Sequence, residues 1–209
     1  MYLPPAFATK DLATLHDLIA VYSFGTIVSV VPEGPYATHV PFLLDRERGV
    51  NGTLVGHLSR GNPHWRHLAG QTAMAMFLGP HGYISPSWYK AHPAVPTWNY
   101  AAVHAYGTPR LIEDAAGLRA IVNRLVARYE GQRPAPWTTD SLPADFMSGM
   151  LKGIVGFEIP IERIEGKLKL SQNRSHEDRR RVIAELAASG APDDRTLADY
   201  MSAHANPTG

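Results

Sequence analysis

Proline and glycine divide the apolar part of this chain into short runs. The sequence contains 17 prolines and 18 glycines, most of them between such runs. Short β-branched or alternating segments bounded by these residues predict strands joined by turns. Six or seven such strands with a few helices predict an α+β, mainly β fold: a small, mostly antiparallel barrel with peripheral helices. Because no β-α-β series and no Gly-x-Gly-x-x-Gly motif is present, a Rossmann fold is not favoured.

Apolar periodicity and capping residues locate the elements. A helix is predicted from Asp114, a capping residue, to Glu130, with Gly131 at its end. Its buried stripe comprises Leu118, Ile121, Val122, Leu125, Val126 and Tyr129. Other helices are predicted at residues 9–22, 63–69 and 143–151 and after Ser175, and strands at 24–31, 36–44, 53–58, 72–78, 101–112 and 157–170. The last strand is expected to turn at Glu165 and Gly166, and residues 79–89 are expected to form an aromatic-rich loop.

The chain is expected to form one domain over residues 1–188. From residue 189 to residue 209 the sequence is small and polar, which predicts a weakly ordered tail or one short helix at residues 196–203.

Composition excludes several classes of protein and site. The chain has no cysteine, so it can form no disulfide and no thiolate metal site. Its net charge is +1 with neutral histidines, so the total charge gives no strong attraction to nucleic acid or membranes. No segment approaches the roughly 20 apolar residues of a membrane span, and the N-terminal residues do not resemble a signal peptide. These features predict a cytoplasmic protein without membrane contact.

A polar turn at residues 56–65 (GHLSRGNPHW) is the strongest candidate for a binding site. It follows a predicted strand and carries the hydroxyl of Ser59 and the guanidinium of Arg60. Asn62 and Pro63 are typical of a helix start, and free N–H groups at a helix start favour a phosphate. An ordinary capped turn between a strand and a helix would explain the same residues.

The middle of the chain is locally cationic and rich in aromatic residues. No aspartate or glutamate lies between Gly49 and Arg110, whereas Arg60, Arg66 and Lys90 do. Aromatic side chains are concentrated at residues 83–89 and 98–100. This combination suits a flat anionic ligand such as a nucleotide cofactor, although the rings could equally form a satellite core.

Three further patterns are weaker evidence for a binding site. His57, His64 and His67 lack the carboxylate or thiolate that usually completes a metal site, so no metal is predicted. Arginines 179–181 could contact DNA phosphates but are more typical of a solvated helix face. Lys167, Lys169 and residues 171–173 could supply donors to a phosphate or a flat ring, or form a solvated strand end.

Six blocks in order resemble the PaiB-like, FMN-binding negative transcriptional regulators. They are residues 2–4 (YLP), 39–45 (HVPFLLD), 56–63 (GHLSRGNP), 79–89 (GPHGYISPSWY), 95–100 (VPTWNY) and 167–173 (KLKLSQN). The resemblance extends from the first residues to about residue 186. Ser59-Arg60-Gly61 departs from the family's Ala-Arg-Ala, which adds a hydroxyl donor and backbone flexibility.

The resemblance implies a split β-barrel like that of pyridoxamine phosphate oxidase, and a homodimer that holds FMN in a cleft where two barrels meet. It implies phosphate contacts from the turn and contacts to the ring and ribityl chain from the aromatic segments and the late strand. The implied FMN-binding residues are His57, Ser59, Arg60, Asn62, Tyr83, Ser85, Trp98, Asn99, Tyr100, Lys169 and Gln172.

Two functions follow from the resemblance. The first is that of an FMN-binding negative regulator of transcription, although no helix-turn-helix pattern is evident. The second is that of a flavin-dependent oxidoreductase or a haem-binding or haem-degrading protein, in which His57, His81 or His104 supplies a proton or an axial ligand. A third hypothesis is that the flavin site is vestigial and that the chain acts as a dimeric binding module.

Overall fold

A computed structural model describes residues 1–204 of the chain. Over these residues it contains ten β-strands and five α-helices. The strands are β1 (Ala8–Thr9), β2 (Phe24–Val31), β3 (Gly34–Pro41), β4 (Leu43–Asp45), β5 (Thr53–Ser59), β6 (Ala73–Ile84), β7 (Thr97–Gly107), β8 (Arg110–Ile112), β9 (Ile154–Pro160) and β10 (Arg163–Lys169). The helices are α1 (Leu12–Val21), α2 (Ala115–Glu130), α3 (Ala144–Leu151), α4 (His176–Ala188) and α5 (Pro192–Ala203).

The chain divides into two compact units. Unit 1 comprises residues 1–11, 78–103 and the chain from residue 165 onward, and unit 2 comprises residues 12–77 and 104–164. The division of the chain at residue 188 stays a prediction, and residues 205–209 of the predicted tail lie outside the described residues.

Unit 2 contains a four-stranded sheet in the order β4-β5-β9-β8 and a β2–β3 hairpin that pairs with β6. In the four-stranded sheet, β5 lies antiparallel to β9 with Gly56 opposite Phe157. A Cβ at position 56 would lie 2.7 Å from the ring of Phe157, so glycine permits this close packing. Phe42 contacts both Phe157 and Phe77 edge-on, with centroid distances of 5.8 Å and 5.1 Å. These rings form the centre of the core of unit 2.

Helix α2 covers the four-stranded sheet, as its apolar periodicity predicts. Asp114 accepts a hydrogen bond from the backbone N–H of Gly117 at 2.8 Å, which confirms it as the N-cap. Ile121 and Leu125 pack with Leu43 and Val55 in one buried cluster. Tyr129 was predicted to be buried, but it is 48% exposed. Its hydroxyl forms a hydrogen bond of 2.8 Å with the hydroxyl of Ser23.

Unit 1 is built on the strands β1, β10, β7 and β6, which are neighbours in that order. Helices α4 and α5 contact each other, and Val182, Leu186, Leu197 and Met201 are fully buried. A Cβ at Gly82 of β6 would lie 2.9 Å from Leu197, so glycine lets α5 approach this strand closely. A helix was predicted over residues 196–203, and α5 begins four residues earlier, at Pro192.

Two local predictions were wrong. Residues 79–84 form the second half of β6 rather than a loop, because the hydrogen-bonded strand continues past Gly79 and Pro80. The predicted turn at Glu165 and Gly166 lies inside β10, and the chain turns instead at residues 161–162. In both cases pairing with neighbouring strands overrides the local preference of glycine and proline for turns. No helix within residues 1–204 has the length and apolarity needed to cross a membrane.

Candidate functional site

The polar turn forms at the end of β5, as the sequence predicts. Ser59 Oγ accepts a hydrogen bond from the backbone N–H of Gly61 at 3.2 Å. Asn62 caps the next segment, because its side-chain oxygen accepts from the N–H of His64 at 3.0 Å. That segment, Pro63–His67, is a five-residue 3₁₀ helix rather than an α-helix. A macrodipole requires a longer aligned helix, so any anion bound here would depend on side chains and turn N–H groups.

A cavity of about 520 Å³ lies beside this turn in unit 2. We call it the β5 cavity. Its polar wall comprises Thr38, His39, His57, Ser59 and Asn62, and its apolar wall includes Val40, Leu58, Met150 and Ile154. Pockets that bind small molecules commonly have about 300–1,000 Å³ and combine apolar walls with a few placed polar groups. The cavity therefore brings together three of the eleven residues that the sequence assigns to the cofactor.

His57 carries an unused hydrogen-bonding atom in this wall. Its Nδ1 is buried and has no hydrogen-bond partner within residues 1–204. Burial lowers the pKa of His57, which favours the neutral imidazole. A buried polar atom without a partner lowers the stability of the fold, because no hydrogen bond offsets the free energy lost on its desolvation. A bound ligand with a complementary donor or acceptor would satisfy this atom.

A chain of hydrogen bonds sets the orientation of the groups around the cavity. Asn62 Nδ2 donates to Thr38 Oγ1 at 3.1 Å, and Thr38 Oγ1 lies 2.8 Å from His64 Nδ1. His64 Nε2 lies 2.9 Å from Ser29 Oγ. A neutral imidazole donates from one ring nitrogen and accepts at the other, so one of the two hydroxyls accepts from His64 and the other donates to it. We call this chain the His64 relay.

Sequence reasoning missed Thr38 and the role of His64. His64 is fully buried, and its ring lies 4.8 Å from the ring of Tyr36. The available signal was the alternation along β3, where Tyr36, Thr38 and Val40 face inward while their neighbours are exposed. Because the hydroxyls of Ser29 and Thr38 occupy both ring nitrogens, His64 is not arranged as a metal ligand. No group of three or more candidate metal ligands occurs among residues 1–204.

Arg60 is more constrained than its sequence context suggests. Its Nε donates to the carbonyl of Lys152 at 3.1 Å, and its two terminal nitrogens donate to the carbonyl of Ile154 at 3.2 Å and to Glu113 at 3.0 Å. Its backbone N–H also donates to the carbonyl of Gly153 at 2.8 Å. Three of the five guanidinium N–H donors are thereby used, and two are left for a ligand. The assignment of Arg60 to a phosphate stays a prediction.

Unit 1 presents a second group of the predicted residues on its surface. Trp98 and Tyr83 are about half exposed and meet edge-on with their ring centroids 6.2 Å apart. Lys169 Nζ donates to the carbonyl of Trp98 at 2.6 Å and to the hydroxyl of Thr97. Burial, followed by the nearby charge of Lys167, lowers the pKa of Lys169. We call Tyr83, Trp98 and Lys169 the aromatic surface of unit 1.

The other predicted residues of unit 1 have partners within the chain. The Asn99 amide is buried and donates to Ser171 Oγ at 2.9 Å. Ser85 caps a short 3₁₀ turn by accepting from the N–H of Ser87 at 3.2 Å. As placed, Asn99 and Ser85 stabilise the local fold.

Gln172 and Tyr100 are also engaged. The Gln172 side chain accepts from the N–H of Leu170 at 2.7 Å and donates to the carbonyl of Leu168. The ring of Tyr100 lies 5.2 Å from the ammonium of Lys167, within the range of a cation–π contact. Contacts of these four residues with a flavin remain predictions.

The arginine run is divided between two environments on α4. Arg179 donates to the carbonyls of Met201 and His204 at 3.2 Å and 3.0 Å, so it holds the end of α5. Arg180 and Arg181 are exposed. At most two of the three arginines are therefore free to contact an external phosphate.

We expect acid to destabilise the protein through His57 and His64. Burial lowers the pKa of both, and for His64 the nearby His67 adds a smaller effect. An unfolded histidine has a pKa of about 6.5, so between that value and the lower folded pKa the unfolded chain binds more protons. The free energy of unfolding should therefore fall as the pH decreases from 7.5 to 5. Urea unfolding at several pH values measures this, and a His57→Gln variant should show a shallower dependence. Stability that stays constant or rises towards pH 5 would contradict the assignment.

Comparison with known proteins identifies the family. A family described as "Putative FMN-binding domain" matches residues 1–163. The chain belongs to this FMN-binding family. Over 202 residues it is 37% identical to "Protease synthase and sporulation protein PAI 2" of Bacillus subtilis, and 96% of each chain is covered. The predicted resemblance to PaiB-like FMN-binding proteins is confirmed, and FMN is the cofactor that the family assigns.

Solved structures confirm the fold class. The flavocytochrome Anf3 of Azotobacter vinelandii aligns with a TM-score of 0.60 at 17% identity, covering 82% of this chain and 74% of that chain. The FAD and haem binding protein of Mycobacterium smegmatis aligns with a TM-score of 0.57 at 20% identity, covering 82% and 78%. At these identities the likeness concerns the fold alone, which is the predicted α+β, mainly β split barrel with peripheral helices.

The residues of the β5 cavity fit an FMN molecule. An isoalloxazine ring has apolar faces and a polar edge on which one N–H lies between two carbonyls, and the cavity offers apolar walls with hydroxyl, amide and imidazole groups. The buried Nδ1 of His57 has no partner among residues 1–204, and such an edge would supply one. The Ser59 hydroxyl lines this cavity and could donate to the phosphate, whereas the guanidinium of the next residue, Arg60, lines a neighbouring cavity.

Proposed function

We propose that this protein binds FMN in the β5 cavity and acts as a negative regulator of transcription of the PaiB type. The binding site is supported by the buried Nδ1 of His57, which has no partner in the described part of the chain and belongs to a residue that lines the cavity with Ser59 and Asn62. The regulatory role is supported by the relative in Bacillus subtilis, whose name connects it with protease synthesis and sporulation. The proposal includes the cytoplasmic location that the sequence predicts.

In the bound state, each residue of the cavity would have a defined task. His57 would bond the polar edge of the ring, while Asn62 and Thr38 would present the amide and hydroxyl groups that the His64 relay holds in place. Ser59 and Arg60 would bind the phosphate. The apolar side chains of Leu58 and Met150 would exclude water from one face of the ring. The flavin itself would supply reversible two-electron redox chemistry.

The aromatic surface of unit 1 supports a homodimer in this proposal. Exposed tryptophan and tyrosine beside a lysine are typical of a surface that meets a flat, anionic or polar partner. We propose that a second copy of the chain brings Tyr83, Trp98 and Lys169 to the cofactor. Light scattering on the purified protein should then give the mass of a dimer. A Trp98→Ala variant should lower FMN affinity, whereas Trp137→Ala, which changes a similarly exposed tryptophan that does not line the β5 cavity, should not.

A His57→Ala substitution tests the location of the cofactor. We expect FMN affinity to fall about tenfold, since one hydrogen bond to a buried group contributes roughly 0.5–1.5 kcal/mol and packing adds to it. Quenching of flavin fluorescence during titration measures the affinity. His81→Ala is the control, because His81 is exposed and lies outside the cavity. Unchanged affinity in His57→Ala would place the cofactor elsewhere.

DNA binding is tested separately from flavin binding. Gel shifts with promoter fragments, carried out with oxidised, reduced and flavin-free protein, should show binding that depends on the flavin state. Arg180→Gln combined with Arg181→Gln should weaken it if α4 supplies the phosphate contacts. Absence of a shift in every state would remove direct repression while leaving the FMN site intact.

A flavin-dependent oxidoreductase is the second candidate function. The neutral His57 with a free Nδ1 is the observation that favours it, since a group of this kind can hold or deliver a proton beside a flavin. Purified protein supplied with FMN should then oxidise NADH or NADPH, and His57→Gln should lower the rate more than it lowers FMN affinity. Protein that is loaded with FMN and oxidises neither nucleotide would argue against this function.

A further inference from the structure

A second cavity in unit 2 has a chemistry that the FMN site does not explain. It has a volume of about 560 Å³ and lies between the start of α2 and the end of α3. We call it the α2–α3 cavity. It is lined by Ala115, Ala116, Leu118, Arg119, Ser148, Leu151 and Lys152, with Arg60 and Glu113 at its edge.

The floor of the α2–α3 cavity is apolar and rigid. Leu118 and Leu151 are 2% and 6% exposed, and they belong to one buried cluster that joins α2 to α3 through Met147. Ala115 and Ala116 are too short to fill the space above this floor. The cavity can therefore hold a hydrocarbon group against leucine side chains without unfolding either helix.

The rim of the cavity carries a surplus of positive charge. Glu113 is the one acid in the lining, and it is paired with Arg60 at 3.0 Å. Arg119 and Lys152 form no ion pair within residues 1–204. With Arg60 and Glu113 compensating each other, the remaining lining residues contribute a charge of +2. An anionic group above the apolar floor would meet both free cations.

We propose that the α2–α3 cavity binds a small organic acid with a hydrocarbon body. Its carboxylate pairs with Arg119 and Lys152, and its apolar part covers Leu118 and Leu151. Ser148 adds a hydroxyl that can donate to the second carboxylate oxygen. The α2–α3 cavity and the β5 cavity share no lining residue, and Arg60, which we assign to the FMN phosphate, lines the α2–α3 cavity.

The two cavities are adjacent along the chain. Gly149 and Met150 line the β5 cavity, while Leu151 and Lys152 line the α2–α3 cavity. Arg60 donates to the carbonyls of Lys152 and Ile154 and so fixes the segment between them. An acid that binds Lys152 therefore contacts the segment that shapes the FMN site.

The test uses hexanoate as the probe, with hexanol and acetate as controls. Hexanoate has both the charge and the hydrocarbon chain, whereas each control has only one of them. Ligand-observed NMR on the whole protein should show hexanoate binding with a millimolar dissociation constant, a range expected for so small a ligand. Hexanol and acetate should bind at least fivefold more weakly.

Two variants assign the binding to this cavity. Arg119→Gln should weaken hexanoate at least fivefold, and Ala116→Leu should weaken it by filling the cavity without changing charge. Arg181→Gln, an exposed arginine on α4, is the matched control and should have no effect. The protein should bind hexanoate both without FMN and saturated with FMN.

Each contrary outcome overturns the proposal. Absence of hexanoate binding, equal binding of hexanol, or an equal loss in Arg181→Gln would show that no such site exists. Loss of hexanoate binding on saturation with FMN would show that the cavity belongs to the cofactor site. Hexanoate binding is measured first on flavin-free protein. If FMN does not bind to this protein, the proposed FMN site is wrong, but the hexanoate measurement still tests the α2–α3 cavity.

Discussion

Replacement of His64 by alanine should lower the free energy of unfolding by about 3 kcal/mol, because loss of a fully buried ring leaves a void and removes a hydrogen-bond partner from two hydroxyls. The ring nitrogens now bond Ser29 and Thr38 at 2.9 Å and 2.8 Å. Without His64, the buried hydroxyl of Ser29 loses a partner, and Thr38 Oγ1 is held by Asn62 alone. Urea unfolding at pH 7.5 measures the loss.

His67→Ala is the matched control for this experiment. His67 lies in the same 3₁₀ segment, is partly exposed and is not part of the His64 relay. Its substitution should cost less than about 1 kcal/mol, as is usual for such surface positions. A His64→Phe variant retains ring volume and separates packing from hydrogen bonding. If His64→Ala cost no more than His67→Ala, the relay would have no structural role.

The relay also predicts an effect on the cofactor. Asn62 Nδ2 uses one hydrogen for Thr38 and keeps the second for a ligand. Loss of His64 frees Thr38 to rotate, which should weaken FMN binding in protein that is still folded at low temperature. Unchanged FMN affinity in folded His64→Ala protein would show that the relay stabilises the fold without shaping the site.

Replacement of Arg60 by alanine should weaken FMN binding at least tenfold. A phosphate carries nearly two charges at neutral pH, and a hydrogen bond between charged groups contributes roughly 1.5–3 kcal/mol, which corresponds to a factor of ten or more. The two guanidinium N–H groups that are left by Glu113, Lys152 and Ile154 are the donors available. Fluorescence titration with FMN gives the affinity.

Riboflavin distinguishes a direct phosphate contact from a structural role of Arg60. Riboflavin lacks the phosphate, so a direct contact predicts that Arg60→Ala binds riboflavin as the unaltered protein does. Glu113→Gln is the matched control, because it removes the ion pair but retains the guanidinium, and it should preserve or raise FMN affinity. An equal loss of affinity for FMN and riboflavin would show that Arg60 acts by holding the segment at residues 152–154.

Features that depend on a few neighbouring residues were readable from the sequence. The capping roles of Asn62, Asp114 and Ser175 are local, because each side chain bonds an N–H two or three residues away. Strand β2 and the apolar stripe of α2 followed from periodicity in the same way, since one face of each element is buried. The fold class and the FMN-binding family followed from blocks that are ordered along nearly the whole chain.

Features that depend on pairing between distant segments were not readable. The extension of β6 through residues 79–84 is stabilised by neighbouring strands, so its glycines and proline did not end it. Asn99 is predicted to contact the flavin, and the fold also gives it partners in Ser171 and Met201, which are 72 and 102 residues away. A donor in the sequence is available to a ligand only when no part of the fold uses it first.

The sequence alone determined the cofactor family, the split-barrel fold and the polar turn at the end of β5, because these depend on local chemistry and on residue order. Only the tertiary structure decided which polar groups remain free. Among residues 1–204 it left His57 Nδ1 without a partner, used three donors of Arg60 and joined Thr38 to His64. The physical reason is that strand register and packing determine which groups form hydrogen bonds with each other. The partners come from residues that are far apart in the sequence.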